Sequence, residues 1–319
     1  MAPARYRDAL DNGTLLKRAE ETIRLLGACR ICPRQCGVNR LKGETGFCRT
    51  GRHAVVCSAF SHLGEEPAIS GTCGSGAIFF THCNMRCVYC QNCRFSQEGE
   101  GRVLTARELA DTMLRLQGNG CHNINVITPT HVMPQILEAL ALAAQEGLVL
   151  PLVYNTSGYE TVEALRLLDG IVDVYLPDMR YADEEPAVRY SSAPDYPRAN
   201  QEAVREMFRQ HSLAVFDGQG VMTQGLIIRH LVLPNGLAGT DATFAFIAKE
   251  LSAEVFISLM SQYFPAYEAC SHPALARRIT AEEYAAAVSL LEKHGLVKGW
   301  VQEARGLQRF AGIHIKRNL

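Results

Sequence analysis

The stretch GAIFFTHCNMRCVYCQNC, residues 76–93, runs a strand-length apolar segment, Ala77–Thr81, straight into cysteines at 83, 87, 90 and 93. The spacing Cys83-x3-Cys87-x2-Cys90 suits an iron–sulfur cluster, whose full thiolate set would be four. Three ligands leave one iron with an open position that a cofactor with an amino and a carboxylate group can chelate. S-adenosylmethionine (SAM) carries both. One electron passed from the cluster into its sulfonium would release methionine and a 5′-deoxyadenosyl radical able to take a hydrogen atom from an unactivated carbon. With Cys93 as a fourth ligand, the same cysteines could instead hold zinc tetrahedrally, or a closed cluster for electron transfer. The open reading leaves Cys93 as a spare thiol.

Downstream of this loop, apolar runs of strand length alternate with segments of helical period, the pattern of βα units on a parallel sheet. Strands are expected at Ala77–Thr81, Ile124–Thr128, Leu152–Asn155, Val172–Leu176, Leu226–Val232 and Val255–Met260. Helices are expected at Thr105–Gln117, Met133–Gln145, Thr161–Leu168, Glu202–Gln210, Phe244–Leu251 and Thr280–His294. Thr105 with Glu108, and Thr280 with Glu283, have the spacing of capping boxes. These βα units are too few for a closed eight-stranded barrel, so an open, partial (β/α)6 barrel is predicted. Thr128, His131, Asn155, Thr156, Asp178, Arg180 and His230 then fall at the strand ends where reactive groups gather. Gln262 and Tyr263 follow the last strand as candidates to line a substrate cavity. Glu303, in WVQEAR, reads as a surface cap or ion-pair partner.

Upstream, residues 13–27 predict an amphipathic helix ended by Gly27. Residues 28–73 show little periodicity and carry Cys29-x2-Cys32-x3-Cys36-x11-Cys48. Four thiolates so close suit a structural zinc or a second iron–sulfur cluster, two readings that the spacing does not separate. The organisation expected is a cysteine-rich metal-binding extension over 1–73 and the barrel with its last helix over 74–319. Of the twelve cysteines, Cys57, Cys73, Cys121 and Cys270 are scattered and read as small core residues.

Lysine plus arginine number 32 against 33 acidic residues, so the totals give no electrostatic footprint for nucleic acid or an anionic membrane. No run reaches the roughly 18–20 apolar residues of a membrane span, and the N-terminal stretch lacks an apolar signal core. A cytoplasmic chain with reduced thiols is expected, and in such a chain clustered cysteines favour metal binding.

The segments CPRQCGVNR, CNMRCVYCQN, NINVITPTH, LVYNTSGYE, VDVYLPDMR, GLIIRHLVLPNG and SLMSQYFP resemble the radical SAM superfamily, in particular its pyruvate formate-lyase activating enzyme-like branch. The resemblance implies a [4Fe-4S] cluster on Cys83, Cys87 and Cys90, and SAM with its adenine near Tyr89. Asn155, Thr156, Ser157 and the following Gly158 and Tyr159 are similar to the Asp-Thr-Asn-Gly segment of glycyl-radical activating enzymes. Asp178 and Arg180 stand at their Asp-x-Lys motif, and His230 at a fifth-strand histidine. Where relatives often carry Gly-Gly-Glu, this chain has Thr128-Pro129-Thr130-His131, so Thr128 and Thr130 would accept the SAM amino group. The resemblance further implies a low-potential electron donor such as flavodoxin or ferredoxin, and hydrogen abstraction from a protein, peptide or small-molecule substrate. The alternative from another class is a metal-stabilised electron-transfer or binding protein with closed four-cysteine sites.

Overall fold

The structure is a computed structural model and describes residues 3–302; Glu303 lies outside them. Ten strands form the sheet: β1 (Ala54–His62), β2 (Ser75–Phe80), β3 (Arg102–Leu104), β4 (Ile124–Ile127), β5 (Leu152–Thr156), β6 (Val174–Pro177), β7 (Val215–Phe216), β8 (Met222–Leu231), β9 (Phe256–Met260) and β10 (Gly299–Val301). Their order is β10-β9-β8-β6-β5-β4-β2-β1-β3, with β7 paired to β8. From β2 to β10 every pair along this path is parallel. The sheet is open, since β3 and β10 are its two ends.

The six predicted strands are β2, β4, β5, β6, β8 and β9, so the chain forms an open α/β sheet of the partial-barrel kind. Their interiors are buried on both faces, as strands covered by helices must be. Two other features went unread. β1 pairs antiparallel with β2, and β3 with β1, so residues 54–62 of the expected extension belong to the main sheet. The short β10 adds a parallel strand beside β9.

Helix Ala106–Gly118 begins with the predicted box: Glu108 N–H donates to Thr105 Oγ1 at 3.2 Å, and Thr105 N–H to Glu108 Oε2 at 2.9 Å. Thr280 and Glu283 repeat it ahead of Ala281–Lys293. Thr105→Ala should remove about 1 kcal/mol and lower Tm by roughly 2–4 °C, which a thermal melt checks. An unchanged Tm would deny the cap its role.

The N-terminus is pinned to the barrel. The Arg5 N–H donates to Asp173 Oδ1 at 2.8 Å and Tyr6 Oη to the Leu150 carbonyl at 2.8 Å. Helix Thr14–Leu25 packs on helix Met133–Gln145. At the N-terminal mouth of the barrel, residues 63–74 form a plug. Ala68 and Ile69 join Val153, Val174, Leu176, Met222 and Ile227 in one apolar cluster, and Glu65 and Glu66 rise from the plug into the lumen.

Candidate active site

Strand β2 ends at Phe80 and the chain enters the cysteine loop at the C-terminal end of the parallel sheet. Cys83 and Cys87 are buried and Cys90 half-buried. Burial, then the facing Cys87, pushes the Cys83 thiol up to about 12 and the Cys90 thiol up to about 11. Cys93 opens the short helix Cys93–Ser96 and has different neighbours: burial raises its thiol and Glu98 adds to the effect, with none of the three other thiols contributing. Cys83 and Cys90 thus both feel the charge of Cys87, whereas the charge that most affects Cys93 is that of Glu98.

Hydrogen-bond donors converge on those sulfurs. Arg180 Nη1 lies 3.2 Å and Ser191 Oγ 3.1 Å from Cys87 Sγ, the Met85 N–H lies 3.3 Å from Cys83 Sγ, and Ser96 Oγ lies 3.1 Å from Cys90 Sγ. Such donors stabilise thiolate and cluster charge, so the residues present fit a three-thiolate iron–sulfur site. Tyr89 is buried, with its hydroxyl 2.6 Å from that of Tyr181, which lies 2.7 Å from Ser191 Oγ. A chain of hydroxyls thus ends on Cys87. The ring of Tyr263 meets Tyr89 edge-on at 5.8 Å, and the Gln262 carbonyl accepts from Gln91 at 3.1 Å.

The neighbouring strand ends supply charge. Asp178 follows β6 and bridges in register to Arg229 of β8. Its carboxylate takes Arg229 Nε at 2.7 Å, and Arg180 Nη2 and Nε at 2.6 and 3.0 Å. Burial opposes ionisation of Asp178, but the guanidiniums of Arg229 and Arg180 outweigh it and hold the carboxyl below the usual range. Arg229 Nη2 reaches Asn155 Oδ1 at 2.8 Å, and Asn155 Nδ2 reaches Glu65 at 3.4 Å. Glu66 accepts from Ser258 Oγ at 3.0 Å and Trp300 Nε1 at 2.8 Å. Burial raises both plug carboxyls, and Arg229 partly offsets it. The structure thus joins Asn155, Asp178 and Arg180 to Cys87 in one network, through Arg229.

A second group forms beside it. Thr130 Oγ1 and Thr156 Oγ1 each lie 2.5 Å from Glu160 Oε1. Thr128 takes a left-handed backbone, φ 59°, with its N–H on the Asn155 carbonyl at 2.9 Å. Ser157 Oγ is buried without a partner among the described residues. Gly158 has φ +72°, and a Cβ there would lie 2.1 Å from Asn200 Nδ2 and 2.5 Å from the Asp178 carbonyl. Only glycine lets this loop cross behind Asp178.

His230 is not brought to the site. Its Nδ1 lies 2.8 Å from the Met179 carbonyl, its Nε2 3.0 Å from Thr240 Oγ1, and its ring edge-on to Phe244 of the covering helix. Along β8 successive side chains alternate in direction, so Arg229 takes the inward place expected of its neighbour. Glu160, Arg229, Glu65 and Glu66 are the lining residues that sequence reasoning missed. The first two stood inside quoted motifs; the plug carried no signal.

Glu160 is buried, and burial pushes its carboxyl up to about 7 despite the hydrogen bonds from Thr130 and Thr156. Between about pH 4.3, where an unfolded Glu titrates, and that value, the folded chain holds a proton that the unfolded chain has released. Stability therefore falls as pH rises through this window, by at most about 4 kcal/mol. Glu160→Gln keeps the acceptor oxygen and should make the profile shallower, read as urea midpoints at about pH 5 and about pH 8; burial pushes the Asp173 carboxyl up to about 7 as well, so part of the slope remains. Equal slopes in both proteins would refute the assignment.

The fold and the loop define a class: open-barrel proteins with a three-thiolate site at the end of the first parallel strand. Residues 77–216 match the sequence profile of the Radical SAM superfamily. An uncharacterized protein of Methanocaldococcus jannaschii, MJ0674, is 34% identical over 278 residues, 84% of this chain and 75% of that protein. Among solved structures, a radical SAM methyltransferase from Sphaerobacter thermophilus aligns with a TM-score of 0.48 and 17% identity, over 72% of this chain and 66% of its own. The FeFe-hydrogenase maturase HydG from Carboxydothermus hydrogenoformans aligns with a TM-score of 0.49 and 13% identity, over 72% and 54%. The chain belongs to the radical SAM superfamily. Membership implies an enzyme that uses a [4Fe-4S] cluster and SAM. No described helix is long and apolar enough to cross a membrane.

Proposed function

We propose that this chain reductively cleaves SAM on a cluster held by Cys83, Cys87 and Cys90, and directs hydrogen abstraction at a polar peptide or small molecule in the barrel lumen. Bound there, the cluster and SAM would supply a 5′-deoxyadenosyl radical from one externally delivered electron. The carrying observation is the contact of Arg180 with both Cys87 Sγ and Asp178, which ties the thiol loop to the strand ends that would receive SAM. Ser157, Thr128, Thr130, Asn155 and Thr156 offer hydroxyl, amide and carbonyl groups for the cofactor's amino, carboxylate and ribose. Tyr89, which contacts Tyr181 and Tyr263, would pack on its adenine.

The lumen supports the substrate class. Its plug sets Glu65 and Glu66 opposite Arg229, and with Asp178 and Arg180 the carboxylates outnumber the guanidiniums, which suits a guest bearing an amine. A second reading, activation of a glycine in a partner enzyme, draws on the Asn155–Tyr159 and Asp178-x-Arg180 segments. Either needs a flavodoxin, ferredoxin or other low-potential donor. The test is anaerobic reconstitution with iron and sulfide, then dithionite and SAM, with 5′-deoxyadenosine read by mass spectrometry. Product from the wild type and none from Cys83→Ala is expected. None from a wild type with its cluster loaded, in the presence of candidate amine-bearing substrates, would refute the proposal.

A further inference from the structure

We propose that Cys29, Cys32, Cys36 and Cys48 hold a second [4Fe-4S] cluster, seated directly against the radical SAM loop. The four thiols line a single pocket, together with Arg34, Arg40, Gly46 and His131. A hairpin builds its rim: the Cys29 N–H donates to the Val38 carbonyl at 2.9 Å, and the Gly37 N–H to the Cys29 carbonyl at 2.8 Å. Gly46 lies so near Cys36 that a Cβ there would sit 2.7 Å from its sulfur. The backbone is thus folded around the sulfurs, and side-chain bulk is excluded beside one of them.

Spacing favours one of the two candidate occupants. A zinc ion with Zn–S bonds of about 2.3 Å draws its four sulfurs to about 3.8 Å from one another. The corners of an iron–sulfur cubane hold their thiolates much farther apart. Among the described residues no three Cys, His, Asp or Glu side chains converge closely enough to hold a single ion. The upstream thiols surround a hollow and do not meet at a point.

Charge is the second observation. Arg40 is 1% exposed, and its guanidinium contacts the Gly51 and His131 carbonyls and Cys29 Sγ, the last at 3.8 Å, with no carboxylate among the described residues as partner. A buried cation needs a counter-charge, and a thiolate-ligated cluster in this pocket supplies it. His131 is fully buried on the same wall. Its Nε2 is engaged by the Thr81 carbonyl at 2.9 Å, and its Nδ1 has no partner among the described residues.

The pocket also touches the SAM loop. Arg34 donates from Nε to the carbonyl of Asn84, next to Cys83, at 2.9 Å. Its guanidinium lies 3.6 Å from the Phe47 ring centroid, and that of Arg86, from the SAM loop, 4.6 Å from the same ring. Phe47 precedes Cys48, so one arginine–phenylalanine stack joins the two thiol sets.

The test is elemental analysis and electron paramagnetic resonance of the full chain after anaerobic reconstitution. Wild type should carry about eight irons and about eight sulfides. Cys32→Ser with Cys48→Ser should keep about four irons and a reduced signal that changes when SAM is added. Cys83→Ala with Cys87→Ala and Cys90→Ala should keep about four irons and a signal indifferent to SAM. One zinc with about four irons in the wild type would overturn the proposal, and so would a triple variant devoid of iron. If the upstream pair fails to fold, the wild-type count and the triple variant still decide. A wild type with about eight irons but no response to SAM would count against the proposed function and leave this site standing.

Discussion

Cys87→Ala will take 5′-deoxyadenosine formation to background and remove about four irons per chain, whereas Cys93→Ala will leave both nearly unchanged. The contrast follows from where the two sulfurs lie. Cys87 is buried, receives donors from Arg180 at 3.2 Å and Ser191 at 3.1 Å, and faces Cys83 and Cys90. Its loss leaves two thiolates for a cluster that needs three, and strands a guanidinium whose other partner is Asp178 alone. Cys93 opens the next short helix, and the charge that most affects its thiol is that of Glu98. Iron content and product yield, measured side by side, check both variants. Equal iron loss from Cys93→Ala would mean a closed four-thiolate site, and SAM would then have no iron to chelate.

Asp178→Ala should destabilise the fold by about 3–5 kcal/mol, a fall in Tm of the order of 5–10 °C. The carboxylate sits between Arg229 and Arg180 at 2.7 and 2.6 Å, and its side chain is 7% exposed. Removing it leaves two poorly solvated guanidiniums side by side, and like charges add repulsion to the lost attraction. Asp178→Asn retains acceptor and shape and should fall between the two. Pairing Asp178→Ala with Arg229→Met should recover part of the loss, because one of the two stranded charges is gone. A melt of Asp178→Ala within about 1 °C of wild type would show the network to be solvated and would undercut its role in fixing Arg180.

The parallel half of this fold was legible because its strands are continuous apolar runs between helices of clear period. The two threonine caps were legible for the same local reason, a hydroxyl and a carboxylate three residues apart. β1 was not. Its sequence, AVVCSAFSH, is only partly buried and follows a segment whose cysteines and glycines suppress any period. The triad and Asp178 with Arg180 could be placed from motif and strand end, but direction along β8 could not. Arg229 and His230 are adjacent, and only the register of Asp178 with Arg229 shows which one turns inward. Glu65 and Glu66 reach Asn155 and Trp300 across 90 and 234 residues, so no local pattern could announce them. The four upstream thiols were legible as a set, yet Arg40, though it ends the quoted segment CPRQCGVNR, gave no local sign that it would be buried against them.

The pinned N-terminus sets a timetable for synthesis. Arg5 and Asp173 are 168 positions apart. At roughly 5–20 residues per second, the first helices leave the ribosome on the order of 10–30 s before their acceptor exists. During that interval the faces carrying Tyr6 and Leu15, both fully buried in the finished chain, have nothing to cover them. The upstream thiols emerge in the same window, ahead of the loop they will lie against. The nascent chain therefore carries these apolar faces and thiols uncovered until the later strands arrive, so the order of synthesis shapes its folding before any catalysis begins.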